Sequence, residues 1–197
     1  MKILLGMPCV KEITTKTVIS LLATVKKGAV EPMIVEGSLV YDARDAIATY
    51  AVENDYDYIL YVDSDMVFSA EDVKRLVAHD TDIVSGLYVT RQGENNNVLY
   101  DRIIKRRRFP YRAPKLIEDK ATSGYAEIAA CGFGFCLIKT EVIKTMLKRY
   151  KSLFEPKWGL GEDIAFCVRA RKCGYKIFTD RDVKLGHVGQ KVYEKIT

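Results

Sequence analysis

The chain has 197 residues, with 31 Lys and Arg against 26 Asp and Glu, a formal charge of +5 and 48% hydrophobic residues. This length predicts a single domain over residues 1–197 with one continuous core, and the composition excludes a disordered or solenoid protein. The first apolar run ends at Lys11 and Glu12, so we expect neither a signal peptide nor a transmembrane segment.

Five cysteines at positions 9, 131, 136, 167 and 173 form no C-x-x-C pair. An odd number without paired spacing argues against a disulfide scaffold or a structural zinc site. Several lie among apolar residues, where a free thiol behaves as a small hydrophobic group. We therefore expect all five in or near the core, and a cytoplasmic location.

Strands and helices alternate over the first half of the chain. An apolar strand over 2–8 precedes a helix that ends near Gly28, and the apolar positions on one face of that helix are Val18, Leu21, Leu22 and Val25. A second strand follows over 32–37 and a second helix over 45–54. This alternation predicts β-α units.

Residues 58–62 are apolar on both faces of a strand, as expected for a central strand covered by helices on both sides. Ser69 and Asp72 resemble a capping box for a helix over 71–79. A further strand is predicted over 82–89. The fold class is therefore α/β with a mostly parallel central sheet flanked by helices.

The stretch 91–123 interrupts this alternation. It contains a basic run whose members are Arg102, Lys105, Arg106, Arg107, Arg108, Arg112 and Lys115. Two interpretations stay open: a solvated loop, or arginines that clamp a diphosphate or attract an anionic acceptor. Regular patterns return with a strand pair or a bent Gly-rich strand over 125–139, helices over 140–150 and 162–173, and a strand over 176–180.

Asp63-Ser64-Asp65 follows the central strand, where ligands bind in open α/β sheets. Two carboxylates that flank one small residue can face a common Mg²⁺ or Mn²⁺, together with substrate phosphates. The alternative is an acidic turn that caps the next helix.

Glu162-Asp163 begins a helix behind a Gly-rich loop that holds Trp158, the one tryptophan. The positive end of the helix dipole also favours carboxylates at this position, so capping of the helix is an alternative role. His187 in the tail could complete an oxygen-rich metal site or simply face solvent.

These motifs in this order resemble the GT-A fold glycosyltransferases, which use nucleotide sugars and include the large family 2. The matching segments are Y-D-A-R-D at 41–45, Y-I-L-Y-V-D-S-D-M-V-F at 58–68, V-S-G-L-Y at 84–88, C-G-F-G-F-C-L-I-K at 131–139, W-G-L-G-E-D-I at 158–164 and G-H-V-G at 186–189. The resemblance implies a Rossmann-like GT-A fold with a nucleotide-binding half over 1–90 and an acceptor-side half over 91–197.

The resemblance also implies a donor site. Pro8, Cys9, Val10 and Arg44 would line the nucleotide pocket with Asp63 and Ser64, and the donor would be a nucleoside diphosphate sugar, with UDP as the expected nucleotide. Mn²⁺ or Mg²⁺ would be held by Asp63, Asp65 and His187.

For the chemistry, the resemblance implies Asp163 as general base in an inverting transfer, with Glu162 beside it. Gly132, Phe133, Gly134 and Trp158 would contact the donor sugar or the acceptor. The acceptor itself, which could be a glycan, lipid, protein or nucleic acid, and a homo-oligomeric state stay open. The competing functions are a phosphohydrolase with Asp63 as nucleophile and a non-catalytic module that binds nucleotides or glycans.

Overall fold

The structure, a computed structural model, describes residues 1–37, 39–89, 97–103, 123–157 and 159–189. Within these ranges the elements in chain order are β1 (Ile3–Cys9), α1 (Thr15–Lys26), β2 (Glu31–Glu36), α2 (Val40–Glu53), β3 (Tyr58–Val62), β4 (Met66–Val67), α3 (Ala70–Ala78), β5 (Ile83–Leu87), β6 (Leu99–Tyr100), β7 (Tyr125–Ile128), β8 (Ala130–Cys131), β9 (Phe135–Lys139), α4 (Thr140–Leu147), α5 (Glu162–Lys172), β10 (Ile177–Lys184) and β11 (Gly186–His187).

The main sheet has the strand order β2-β1-β3-β9-β5-β10-β7. Strand β1 is parallel to β2 and β3, and β5 is parallel to β10. Strand β9 runs antiparallel between β3 and β5, and β7 runs antiparallel at the edge beside β10. The predicted α/β fold with a mostly parallel sheet is confirmed, with five strands in one direction and two reversed.

The segment 125–139 is neither a strand pair nor one bent strand. Its three strands join three different partners: β7 pairs with β10, β8 pairs with β6, and β9 lies at the centre of the main sheet. The last strand is also longer than the predicted 176–180, because β10 continues to Lys184 and β11 then pairs with β4.

Alternate side chains of the central strands enter two separate cores. Ile59 and Tyr61 face the layer that contains α2, α4 and α5, whereas Leu60 and Val62 face the layer that contains α1 and α3. Strand β3 has the bounds that its two-sided apolar pattern predicted. Helix α2 begins five residues earlier than predicted, so that Arg44 lies within the helix on its buried face.

The predicted buried face of α1 is confirmed for Leu21 and Val25, which pack on the core, and wrong for Val18 and Leu22. The helix buries Thr17, Ser20, Leu21 and Thr24, whereas Val18 is 36% exposed and Leu22 is 63% exposed. The Thr24 hydroxyl donates to the Ser20 carbonyl oxygen at 2.8 Å, and the Ser20 hydroxyl accepts from the Phe68 amide at 3.1 Å. These local hydrogen bonds satisfy the short polar side chains and allow them to lie inside.

All five cysteines are free thiols; four are buried and Cys173 is half-buried, as predicted. No helix within the described ranges is long and apolar enough to span a membrane.

Gly6 is fixed by the close approach of α2 to β1. A Cβ atom at this position would overlap the Ile47 side chain, which is fully buried. We predict that Gly6→Ala lowers the free energy of unfolding by about 1–3 kcal/mol, because the core has no room for an added methyl group. Urea unfolding measures the change. Gly37→Ala is the control, since nothing lies within 4 Å of its added Cβ. Equal stability of the Gly6→Ala variant and wild type would contradict the close packing.

Candidate functional site

A cavity of about 640 Å³ opens at the carboxyl ends of β1 and β3. Most of the predicted donor-site residues line it, namely Pro8, Val10, Arg44, Asp63, Ser64 and Asp65, together with Glu162, which was predicted beside the catalytic base. Further lining comes from Lys11, Glu12, Thr14, Val40 and Val188. Cys9 is buried and does not contribute to this lining. The volume is within the range of small-molecule pockets, about 300–1,000 Å³.

Arg44 connects two parts of this cavity. Its side chain is only 3% exposed, and its Nη2 atom donates to Asp63 Oδ1 at 2.8 Å. Its Nη1 atom lies 3.3 Å from Glu162 Oε1. Burial alone would lower the pKa of Arg44, but the neighbouring carboxylates, with Asp63 the strongest, raise it above its ordinary value. Arg44 is therefore a permanent cation between the turn after β3 and the start of α5.

Aromatic rings form the floor beneath this guanidinium group. Arg44 Cζ lies 5.4 Å from the Phe133 ring centroid and 6.0 Å from that of Phe154. The Tyr61 hydroxyl donates to the Arg44 carbonyl oxygen at 3.0 Å. Phe133 is 1% exposed and packs in this cluster. Its predicted contact with a sugar stays a prediction, and the buried ring supports Arg44.

The two aspartates of the D-x-D motif form a turn held from several directions. The Asp63 amide donates to the Gly134 carbonyl oxygen at 3.1 Å, and the Thr14 amide donates to the Ser64 carbonyl oxygen at 2.9 Å. Strand β4 follows this turn, and α3 is capped by Ser69 and Asp72 in the predicted capping box. The alternative role of D-x-D as the cap of α3 is therefore wrong.

His187 reaches Asp65 from the far end of the chain. The pairing of β11 with β4 brings His187 Nε2 to 3.1 Å from Asp65 Oδ2. His187 Nδ1 lies 2.7 Å from the Val89 carbonyl oxygen, which can only accept, so Nδ1 carries a proton. In the neutral ring Nε2 then presents a lone pair to a carboxylate. A second proton or a cation between these atoms makes the contact favourable.

The Asp65–His187 pair could contribute one oxygen and one nitrogen ligand to a divalent cation. Metal-bound histidines usually donate their other ring N–H to a carbonyl or carboxylate, as His187 does to Val89. In the part of the chain that the structure describes, no three His, Cys, Asp or Glu side chains form a group that could hold a metal ion. Protein magnesium sites commonly use one or two carboxylates, with waters and substrate phosphates supplying the other ligands.

Asp163 follows Glu162 in the first turn of α5 and is not part of the cavity lining. It is half-buried, and its Oδ1 atom accepts from the Ile164 amide at 2.7 Å. Burial, followed by repulsion from Glu162, raises the pKa of Asp163 to about 7. Gly161 occupies the N-cap position and has no side chain to bond the first amides of α5. Asp163 therefore satisfies one of these amides, that of Ile164.

Tyr88 is a site residue that the sequence reasoning missed. Its hydroxyl oxygen accepts from the Gly134 amide at 2.7 Å, and its ring packs edge-on against His187 with centroids 5.7 Å apart. A Cβ at Gly132 or Gly134 would lie 2.5 or 2.7 Å from this hydroxyl oxygen. The two glycines therefore make room for Tyr88. The sequence signal was the segment Gly132-Phe133-Gly134 together with an aromatic residue, Tyr88, directly after β5.

Some predicted residues lie outside the described ranges. These are Trp158 and the basic residues between 104 and 115. Arg102 is described, and it forms an exposed ion pair with Asp101 at 3.2 Å.

Comparison with known proteins bears on the fold alone. No protein-family model and no curated protein matches the chain. The solved structure of A197 from STIV is similar, with a TM-score of 0.62 and 19% identity over 100% of this chain and 98% of that chain. The structure of GalNAc-T7 with UDP, GalNAc and Mn²⁺ is also similar, with a TM-score of 0.61 and 12% identity. That match covers 94% of this chain but 43% of the GalNAc-T7 chain. The chain therefore has a GT-A-like α/β fold.

The raised pKa of Asp163 predicts a pH-dependent stability. An ordinary aspartate has a pKa near 3.8, whereas Asp163 in the folded state holds its proton up to about pH 7. The folded state thus binds more protons between these values, and stability falls as pH rises through this window. Asp163→Asn removes the penalty of the buried charge. We predict that this substitution raises the melting temperature clearly at pH 8 and little at pH 4.5. An equal effect at both pH values would contradict the raised pKa.

Proposed function

We propose that the chain is a metal-dependent glycosyltransferase that moves a sugar from a nucleoside diphosphate sugar, with UDP as the nucleotide, to an acceptor hydroxyl. The main supporting observation is one cavity at the strand ends. Its lining includes Asp63, Asp65, Arg44 and Glu162, and His187 lies beside Asp65. In open α/β sheets this edge is where ligands bind.

The donor would occupy the cavity. Pro8 and Val10 at the end of β1 would contact the nucleotide, with Asp63 and Ser64 beside the ribose and diphosphate. Arg44 is already bound to two carboxylates, so its role would be to fix Asp63 and Glu162 rather than to bind the diphosphate directly. The buried cation would hold both acidic side chains in place.

Asp65 and His187, with Asp63 through water, would hold Mn²⁺ or Mg²⁺. The bound ion supplies electrostatic stabilisation of the negative charge that develops on the leaving diphosphate. The ring orientation of His187 is set in advance by its bond to Val89 and by the Tyr88 ring. GalNAc-T7, which shares the fold at 12% identity, was solved with UDP and Mn²⁺, and this supports the same ligand class here.

Asp163 would act as general base in an inverting transfer. An acceptor hydroxyl is a weak nucleophile, and a carboxylate that accepts its proton during attack assists the reaction. With a pKa of about 7, Asp163 is a stronger base than an ordinary carboxylate and is still largely ionised just above neutral pH. Residues 1–90 would form the donor half. Residues 91–197, including the basic excursion 91–123, would form the acceptor half.

The donor proposal predicts metal-dependent nucleotide binding. We expect UDP with Mn²⁺ at a hundredfold excess over Kd to raise the melting temperature by about 5–10 °C, because about 2.7 kcal/mol of binding energy adds to the folded state. Asp65→Asn and His187→Ala should each lose the Mn²⁺-dependent part of this shift. His79→Ala, at the other histidine, is the matched control and should keep it. A UDP shift that is identical with and without Mn²⁺ would contradict the metal site.

The base proposal predicts a separation of binding from turnover. Wild type should release UDP from UDP-sugars by transfer to water, with a rate that rises with pH through about 7 as Asp163 loses its proton. Asp163→Asn should keep donor binding and lose about 10²–10⁴-fold in rate. Asp55→Asn, at an exposed turn, is the control. If the Asp163→Asn variant kept the wild-type turnover rate, the role of Asp163 as general base would be contradicted. If wild type bound the donor without turnover, the chain would be a binding module.

A further inference from the structure

Helix α1 presents an unusual surface. Its buried side consists mainly of short polar residues, and three large apolar side chains point the opposite way: Val18, Ile19 and Leu22, which are 36%, 62% and 63% exposed. Their spacing of one, three and four residues puts them on one stripe of the helix. We call these three side chains the exposed α1 face. Leu21 and Val25 of the same helix do pack on the core, so α1 carries apolar side chains on both its inner and its outer side.

The charge on α1 has a single sign. The helix contains Lys16 and Lys26 and no acidic residue, whereas each of the other four helices in the described ranges carries at least one Asp or Glu. Its first turn also lacks the acidic residue that a helix dipole favours. Both lysines are exposed, and Lys26 lies one turn beyond Leu22 on the same stripe. Lys27 is already paired with Glu71 at 3.5 Å.

We propose that the exposed α1 face docks on the surface of an anionic lipid bilayer. Apolar side chains inserted at the boundary between headgroups and acyl chains, with lysines beside them at the headgroups, are typical of helices that lie in a membrane interface. The absence of acidic residues from α1 is complementary to a negative surface. This proposal is independent of the proposed enzymatic activity.

A second copy of the chain is a poorer occupant. A stable protein interface engages about 20–30 residues on each side, whereas the exposed α1 face offers three large apolar side chains. Two copies meeting here would also bring Lys16 and Lys26 of each helix towards those of the other, which is unfavourable. An anionic lipid surface offers an apolar layer for the three side chains and negative headgroups for the lysines.

Vesicle flotation tests the proposal on the full chain. We expect wild type to float with vesicles of phosphatidylglycerol and phosphatidylcholine, and to remain unbound with phosphatidylcholine alone. Ile19→Gln combined with Leu22→Gln should lower binding at least about tenfold, since two partly inserted side chains are lost. Lys16→Gln with Lys26→Gln should also weaken binding, by about fivefold for each lysine, and the loss should shrink at high salt.

The control is Tyr50→Gln, which removes an exposed aromatic ring from α2 in the opposite helix layer. It should bind as wild type does. All α1 substitutions are at exposed helix positions with a good helix former, so circular dichroism and the melting temperature should be unchanged.

Three results would overturn the proposal. The first is no flotation of wild type. The second is flotation that the α1 variants retain in full, because the basic residues between 102 and 115 would then be the binding element. The third is a wild-type dimer in analytical ultracentrifugation that dissociates in the Ile19→Gln, Leu22→Gln variant, which would assign the face to a second copy.

Discussion

The site depends on the ion pairs that the buried guanidinium group of Arg44 forms with Asp63 and Glu162. A charge with 3% exposure is tolerated only when partners compensate for its lost hydration. Asp63 and Glu162 are those partners, and they come from the end of β3 and the start of α5. The ion triad therefore joins the two segments that carry the candidate metal ligands and the candidate base. Removal of Arg44 would leave two carboxylates close together without compensation.

Arg44 also acts on carboxylates in two different electrostatic environments. On the cavity side, Asp63 is about one-third exposed and directly hydrogen-bonded to the cation. Asp163, in the first turn of α5, interacts with the same cation, but burial and Glu162 outweigh this interaction, so its pKa rises to about 7. One cation thus binds a partly exposed carboxylate directly and also acts on a more buried one at the same site. A carboxyl group whose pKa is raised by burial and by a neighbouring acidic side chain, as that of Asp163 is, is typical of acid–base active sites.

The sequence predicts the parts of this arrangement that depend on local pattern. Strand β3 has its predicted bounds because a strand buried on both faces needs an apolar run, and the capping box of Ser69 and Asp72 is local in sequence. The insertion of β9 between β3 and β5 depends on pairing between distant segments, and no periodicity encodes it. The contact of His187 with Asp65 spans 122 residues for the same reason. The family resemblance assigned Asp65 and His187 to one metal site; the structure shows that the two side chains are in contact, and their role as metal ligands stays a prediction.

Helix α1 shows why the direction of an apolar stripe is not a sufficient guide to burial. Burial of a hydroxyl group has little free-energy cost when the group keeps a hydrogen bond within the helix or to a backbone amide. The small Ser and Thr side chains also let the helix pack closely on the sheet. The helix begins beside Thr14, whose amide bonds the D-x-D turn at Ser64, and it extends about 18 Å at 1.5 Å per residue. Anything that binds the outward apolar side chains therefore lies within one helix length of the cavity. The exposed α1 face and the D-x-D turn are thus connected through Thr14, which is the N-cap residue of α1 and whose amide donates to the Ser64 carbonyl oxygen at 2.9 Å.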